Sequence, residues 1–280
     1  MASALSPLGQ QVRQEDHDRY LTLLFAPAAK RERLFALLAF NQEIARTAER
    51  VSEPLLGEMR LAWWRDAIEA SIAGGPVPVH PVMAALAECL ADGTLPADAL
   101  LQQIEARRRD LDSEGFASLA ALRAYARETA GELNRLQADL LGLDSARQEI
   151  ACDLGTAWGL VGQLRSYAAW LAGGRLWLPR DLLAEQGLTR QALTEGLGAV
   201  ELAVVVEQVA AEAETLLAKA AASGRRLPAG AASPFLLGSL TRLYLGRLRA
   251  GHGDPRAPGF VAPPPQRIFH LTWAVLRRRW

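Results

Sequence analysis

Residues able to do chemistry are few and scattered along this chain. The four histidines, His17, His80, His252 and His270, show no partner pattern and support no catalytic assignment. Cys89 and Cys152 are the only cysteines and form no Cys-x-x-Cys or Cys/His grouping, which argues against a zinc site and against a disulfide framework. Glu43 and Glu49 share one helical pattern with Arg46 and Arg50. Carboxylates can serve as magnesium ligands, since magnesium takes several oxygen ligands in an octahedral shell. Beside two arginines, the same acids read instead as solvated ion pairs. Trp63, Trp64 and Trp158 have the bulk to line a tunnel for a long apolar molecule, but aromatic residues at helical spacing belong more commonly to a core.

These residues need a scaffold, and the sequence describes a helical one. Half of the 280 residues are hydrophobic, enough to bury a large core. Lys plus Arg and Asp plus Glu number 31 each, so no long-range field draws the chain to nucleic acid or to an acidic partner, and no nucleic-acid partner is expected. From Asp16 onward apolar residues recur at three- and four-residue intervals with Ala and Leu dominant, which predicts an all-α fold. Pro27 precedes a helix to about residue 50, Pro54 opens one to about residue 73 that Gly74-Gly75-Pro76 ends, and Pro96 opens another. Further helices are predicted over 118–142, 146–171, 197–222, 233–250 and 265–278. The expected organisation is a flexible start at 1–15 and a single helical bundle over 16–280. The start has no apolar core of secretory length, and no stretch offers about 18 uninterrupted apolar residues for a membrane span, so the expectation is a cytoplasmic protein. The last segment, Gln266 to Trp280, carries apolar bulk into a basic cluster. It is read as a docked terminal helix with a solvated arginine tail, making at most peripheral membrane contact.

Three segments, taken in order, resemble the squalene/phytoene synthase family. Leu34-Phe-Ala-Leu-Leu-Ala-Phe-Asn-Gln-Glu-Ile-Ala-Arg-Thr-Ala-Glu-Arg50 followed by Met59-Arg-Leu-Ala-Trp-Trp-Arg65 is similar to the family's first aspartate-rich helix and the R-L-x-x-W-R after it. Ile104-Glu-Ala-Arg-Arg-Arg-Asp-Leu-Asp112 with Leu122-Arg-Ala-Tyr-Ala-Arg-Glu-Thr-Ala-Gly131 resembles the helices leading to Y-x-x-x-V-A-G. Gly162-Gln-Leu-Arg-Ser-Tyr-Ala-Ala-Trp-Leu-Ala-Gly-Gly-Arg-Leu-Trp-Leu-Pro179 tracks N-x-L-R-D-x-x-x-D-x-x-x-G-R-x-Y-L-P almost position by position. The resemblance implies an isoprenoid-synthase-type bundle in which acids on two helices hold magnesium against a prenyl diphosphate.

The departures fall on that chemistry. The acidic positions of the first motif are Ala45 and Arg46, with a carboxylate kept only at Glu49. In the second motif the aspartate positions are Ser166 and Trp170, and no Asp or Glu occurs between Leu154 and Arg180. Ile150, Leu154, Ala157, Val161, Leu164, Ala168 and Leu171 form one stripe of that helix, and Gly155, Gly159, Gln163, Ser166 and Trp170 a second, which predicts a helix buried between neighbours. At the metal position the Trp170 indole reads as a plug. No catalytic residue, metal ligand or cofactor is therefore expected.

The resemblance leaves Arg165, Arg175, Gln163 and Tyr125 as ligand-binding candidates, the arginines because their fork suits bidentate phosphate contacts without a metal; the alternative for the arginines is a structural role at a helix end. The Phe40-Asn41-x-Glu43 start, the Val51-Ser52-Glu53 junction, Gly57-x-Met59-Arg60 and Leu164-Arg165-Ser166 look like a divergent branch of the family, the phytoene-synthase-like assembly factors of respiratory complex I. The implied function is a non-catalytic assembly or binding protein with complex I subunits or an isoprenoid or lipid as partner. Two alternatives stand beside it. One is a head-to-head prenyltransferase gathering magnesium through Glu43, Glu49 and Asp139, and the other is a metal-free isoprenoid or lipid carrier.

Overall fold

The computed structural model describes residues 5–51 and 53–280; residues 1–4 of the start and Ser52 of the Val51-Ser52-Glu53 junction lie outside the described residues. The described chain is helical throughout, its β-type pairing limited to one isolated antiparallel bridge between Arg226 and Arg279. The α-helices are α1 Pro7–Glu15, α2 His17–Leu23, α3 Ala28–Ala45, α4 Thr47–Arg50, α5 Pro54–Ile72, α6 Pro81–Ala91, α7 Ala97–Arg107, α8 Leu119–Ala126, α9 Glu132–Leu140, α10 Ser145–Ala172, α11 Arg180–Glu185, α12 Arg190–Thr194, α13 Ala199–Ala222, α14 Ser233–Ala250 and α15 Pro264–Leu276. They are laid out in two compact units.

The first unit holds the described residues through Asp112, with Glu132–Glu149 and Pro228–Pro234. Its centre is α3, packed by α1, α6, α7 and α9. Leu34 to Phe40 are all buried, so the apolar run has no polar face to show; a helix enclosed on all sides needs none. Residues 7–15, read from the sequence as part of a flexible start, form α1: the Ser6 hydroxyl accepts a hydrogen bond from the Gly9 amide at 3.1 Å, Pro7 occupies the first turn, and Val12 is fully buried. The predicted helix to residue 50 is interrupted at Arg46, whose backbone (φ −90°, ψ 5°) leaves the helical ladder before α4 begins.

The second unit holds Ser113–Gly131, Ile150–Leu227 and Phe235–Trp280. Leu154, Ala157, Trp158, Val161 and Leu164 of α10 lie in its core with Val205, Val206 and Val209 of α13 and Leu236, Leu240 and Tyr244 of α14. Burial of α10 is continuous from Ala151 to Trp158 and fades beyond Leu164. Ala168 is exposed and Leu171 half-buried, so the predicted stripes hold for the middle of the helix and not for its C-terminal turns. The segment leading into α9 makes a π turn at Arg127–Gly131, and Gly131 and Gly159 let it approach α10: a Cβ on Gly131 would stand 2.5 Å from Thr156 Oγ1, and one on Gly159 2.9 Å from Ala130 Cβ. Helix α15 docks through Leu271 and Ala274. The chain then turns back along 225–227, where the Leu227 amide donates to Arg278 O and the Trp280 amide to Arg225 O. The terminal arginines are exposed as expected, but Trp280 is buried. Among the described residues no helix is long and apolar enough to cross a membrane.

Candidate functional site

The first-motif positions belong to the first unit. Ala45 ends α3 and is half-buried, offering a methyl group where an acid would stand. Arg46 is spent on ion pairs with Glu15 at 3.1 Å and Glu49 at 3.4 Å. Glu49 is exposed and neutralised by that arginine. Glu43 behaves differently from the solvated pair anticipated for it. Its side chain is only 11% exposed, and its Oε2 accepts hydrogen bonds from Arg50 at 2.8 Å and from Arg60 at 2.7 Å, while Gln11 donates to Oε1 at 3.3 Å. Every Glu43 oxygen is thereby committed to a donor. Asp139, the third acid of the magnesium alternative, accepts from Gln148 Nε2 at 3.0 Å.

Arg60 and Asn41 give these residues a structural reason. The Glu43–Arg60 pair ties the Asn41-x-Glu43 segment to Gly57-x-Met59-Arg60, and Arg107 donates to Asn41 Oδ1 at 3.2 Å while pairing with buried Asp110. Gly57 lies close against the same region: a Cβ there would stand 2.3 Å from Leu111 Cδ2, and that side chain would have to move. Sequence reasoning singled out both segments without seeing that an ion pair on the buried Glu43 carboxylate joins them.

The second-motif positions belong to the second unit. Ser166 and Trp170 are half-buried on α10. The Trp170 indole stacks on Trp177, with ring centroids 4.3 Å apart and planes 23° from parallel, and its Nε1 is buried without a hydrogen-bond partner. Trp177 in turn meets Phe116 and Tyr125 edge-on, so that position 170 is part of an aromatic cluster. Tyr125 is fully buried in it and also packs against Phe116 at 4.9 Å.

Arg165 lies with its guanidinium carbon 4.3 Å from the Trp158 ring centroid and 4.5 Å from that of Tyr244, clasped between two aromatic faces. Trp158 lies two helical turns before Arg165 on the same face, a spacing that could have signalled the contact; Tyr244 could not have been found without the fold. Arg175 follows α10, its amide donating to Trp170 O at 2.8 Å and its guanidinium 5.8 Å from the Trp170 ring. Gln163 is half-buried and its Oε1 has no partner. The structure thus places Trp158, Arg165 and Tyr244 in one stack and Tyr125, Trp170, Arg175 and Trp177 in an aromatic cluster.

A magnesium-diphosphate centre requires oxygen ligands converging from the motif helices. The residues present do not fit one: a methyl group, an ion-paired guanidinium, a hydroxyl and a stacked indole occupy the four altered positions. Among the described residues no group of three or more His, Cys, Asp or Glu side chains is placed to hold a metal ion. The sequence reading also overlooked Asp153, a buried carboxylate on α10 that pairs with Lys219 at 2.9 Å and Arg127 at 3.5 Å; nothing in its local spacing marks the two partners.

Comparison with known proteins agrees with this architecture. The family model for squalene/phytoene synthase matches residues 12–267. The chain is 30% identical over 226 residues to the Rattus norvegicus protein named NADH dehydrogenase (ubiquinone) complex I, assembly factor 6, covering 80% of this chain and 68% of that one. It is 30% identical over 151 residues to 15-cis-phytoene synthase of Enterobacter agglomerans, covering 53% of this chain and 51% of that enzyme. Squalene synthase HpnC from Alicyclobacillus acidocaldarius superposes with a TM-score of 0.76 at 21% identity, covering 89% of this chain and 94% of its own, and shows the same fold.

Proposed function

This chain belongs to the squalene/phytoene synthase family, and we propose that within it the chain is a non-catalytic, cytoplasmic assembly factor of the respiratory complex I type. The observation that carries the reading is the replacement of family acids by Ala45, Arg46, Ser166 and Trp170, with Arg46 and Trp170 committed to local contacts. Promoting departure of a diphosphate needs cations placed where charge develops, and a synthase scaffold without their ligands loses that electrostatic term. Fold alone does not restore it. The longer match to the rat assembly factor than to the phytoene synthase supports the same direction.

An assembly factor works by presenting surface to a partner. Leu55, Leu56, Met59 and Trp63 are all exposed near the start of α5, and Leu55, Met59 and Trp63 follow one another at four-residue intervals along one helix face. Clustered apolar side chains of this kind mark interaction surfaces more often than isolated ones do. We assign this stripe the partner-facing role and complex I subunits as the class of partner.

Deletion of the gene in its own organism tests the reading, with assembled complex I measured on native gels and as rotenone-sensitive NADH oxidation. The expected result is loss of assembled complex, restored by the wild-type gene and less well by a Leu55→Asp/Met59→Asp variant with unchanged thermal unfolding. Normal complex I in the deletion strain would overturn it.

A further inference from the structure

A cavity of about 370 Å³ in the second unit is lined by Arg225, Arg242, His270, Trp273, Arg277 and Arg279, among other residues, and no acidic side chain contributes to it. The buried Trp280 is part of its lining. Arg242 sits over the Trp280 ring, 4.6 Å from the centroid. Arg242 is half-buried, and its Nη1 is fully buried without a hydrogen-bond partner, so part of the guanidinium has lost water and lies against an aromatic face. Burial first, and the neighbouring Arg225 second, push its pKa down to about 10, the direction expected of a cation lacking a counter-charge. Arg225 is already engaged, donating through Nε and Nη2 to Trp280 O at 3.0 and 2.9 Å, and this holds Trp280 in place. Arg277 stacks on Trp273, 4.3 Å from its centroid, at the side of the same cavity.

The helix that supplies this wall also leaves apolar side chains outside it. Phe269, Trp273 and Leu276 are 63%, 45% and 71% exposed along one face of α15, and Phe269 stacks in parallel on Trp273. Trp273 belongs to both features, so the apolar face runs alongside the basic cavity.

We propose that this cavity binds the phosphate group of an anionic amphiphile, with Arg242, Arg277 and Arg279 receiving the phosphate and the Phe269–Trp273–Leu276 face receiving the apolar tail. Guanidinium forks match phosphate oxygens, and an anion here would supply the counter-charge that the surroundings of Arg242 lack. The chemistry is shared by a phospholipid headgroup and by a free phosphate compound. It is independent of the α5 surface and of the assembly-factor reading, and stands or falls separately.

The test measures binding of the full chain to phosphatidylglycerol-containing vesicles, to phosphatidylcholine vesicles and to inorganic phosphate, comparing wild type with Arg242→Gln and Arg278→Gln. The two variants remove the same charge, but Arg278 does not line the cavity. The expected result is binding to the phosphatidylglycerol vesicles that Arg242→Gln weakens about tenfold or more and Arg278→Gln less than about threefold. Should Arg242→Gln fail to fold by circular dichroism, Arg279→Gln takes its place in the comparison. Inorganic phosphate bound with the same variant pattern, and no vesicle binding, would support the anion site and overturn the amphiphile. Equal losses in the two variants, or no binding to any probe, would overturn the site.

Discussion

Replacing Glu43 with glutamine separates a structural carboxylate from a metal ligand. Glu43 is the best-buried acid of the first-motif helix, and its Oε2 receives two charged donors at 2.7 and 2.8 Å. A hydrogen bond to a charged group contributes about 1.5–3 kcal/mol when sequestered. Arg50 and Arg60 are 32% and 38% exposed, so water recovers much of their loss, and the amide oxygen retains one acceptor. The net cost of Glu43→Gln is about 1–2 kcal/mol, or roughly 2–6 °C in thermal midpoint for a chain of this size. Urea and thermal unfolding should be followed with and without magnesium. The account requires the same loss in both conditions and a reduced effect of Glu43→Gln in an Arg60→Met background, because the pair is then already broken. A change below about 0.5 kcal/mol, or magnesium stabilising the wild type but not the variant, would refute the ion-pair argument.

Gly238→Ala places a Cβ 2.5 Å from Trp280 Cε3 and 3.0 Å from Leu154 Cδ2, and should cost about 1–3 kcal/mol in urea unfolding; an unchanged midpoint would contradict the burial of Trp280. Trp170→Ala removes the stack on Trp177 and should cost about 1–2 kcal/mol while creating no magnesium dependence of stability, since Ser166 brings no carboxylate to the vacated space. Burial raises the Cys89 thiol above its ordinary range, only partly offset by its hydrogen bond with Thr94. Labelling by a thiol reagent at mildly alkaline pH should therefore require unfolding, and rapid labelling of the native chain would contradict it. The folded pKa being the higher one, this thiol's contribution to stability is complete below the unfolded pKa and falls as pH rises through the folded pKa, which alkaline unfolding curves of the wild type and Cys89→Ala should register.

The long helices were legible because their apolar periodicity and proline starts are local features: Pro54 and Pro264 open α5 and α15 close to where the pattern places them. Short helices were less so. Helix α6 lies between Pro76 and Pro96 in a stretch rich in loop signals, and α1 depends on the Ser6 cap and on a single buried valine. The altered motif positions could be found from the sequence, since a missing acid is visible in the residue string. Which partner a candidate residue takes could not, where that partner lies outside the residue's own helix. Glu43 finds Arg60, Trp170 finds Trp177 across a turn, and Arg165 finds Tyr244 on another helix. Arg242 and Trp280 escaped attention for the same reason, neither standing in a motif and each depending on the return of the chain along 225–227.

The most direct test of the central claim is calorimetric titration of the purified chain with farnesyl and geranylgeranyl diphosphate, with and without magnesium, followed by product analysis. The account predicts no magnesium-dependent binding and no condensed product above a heat-inactivated control. Magnesium-dependent binding followed by a head-to-head condensed product would contradict it and return the chain to the synthases.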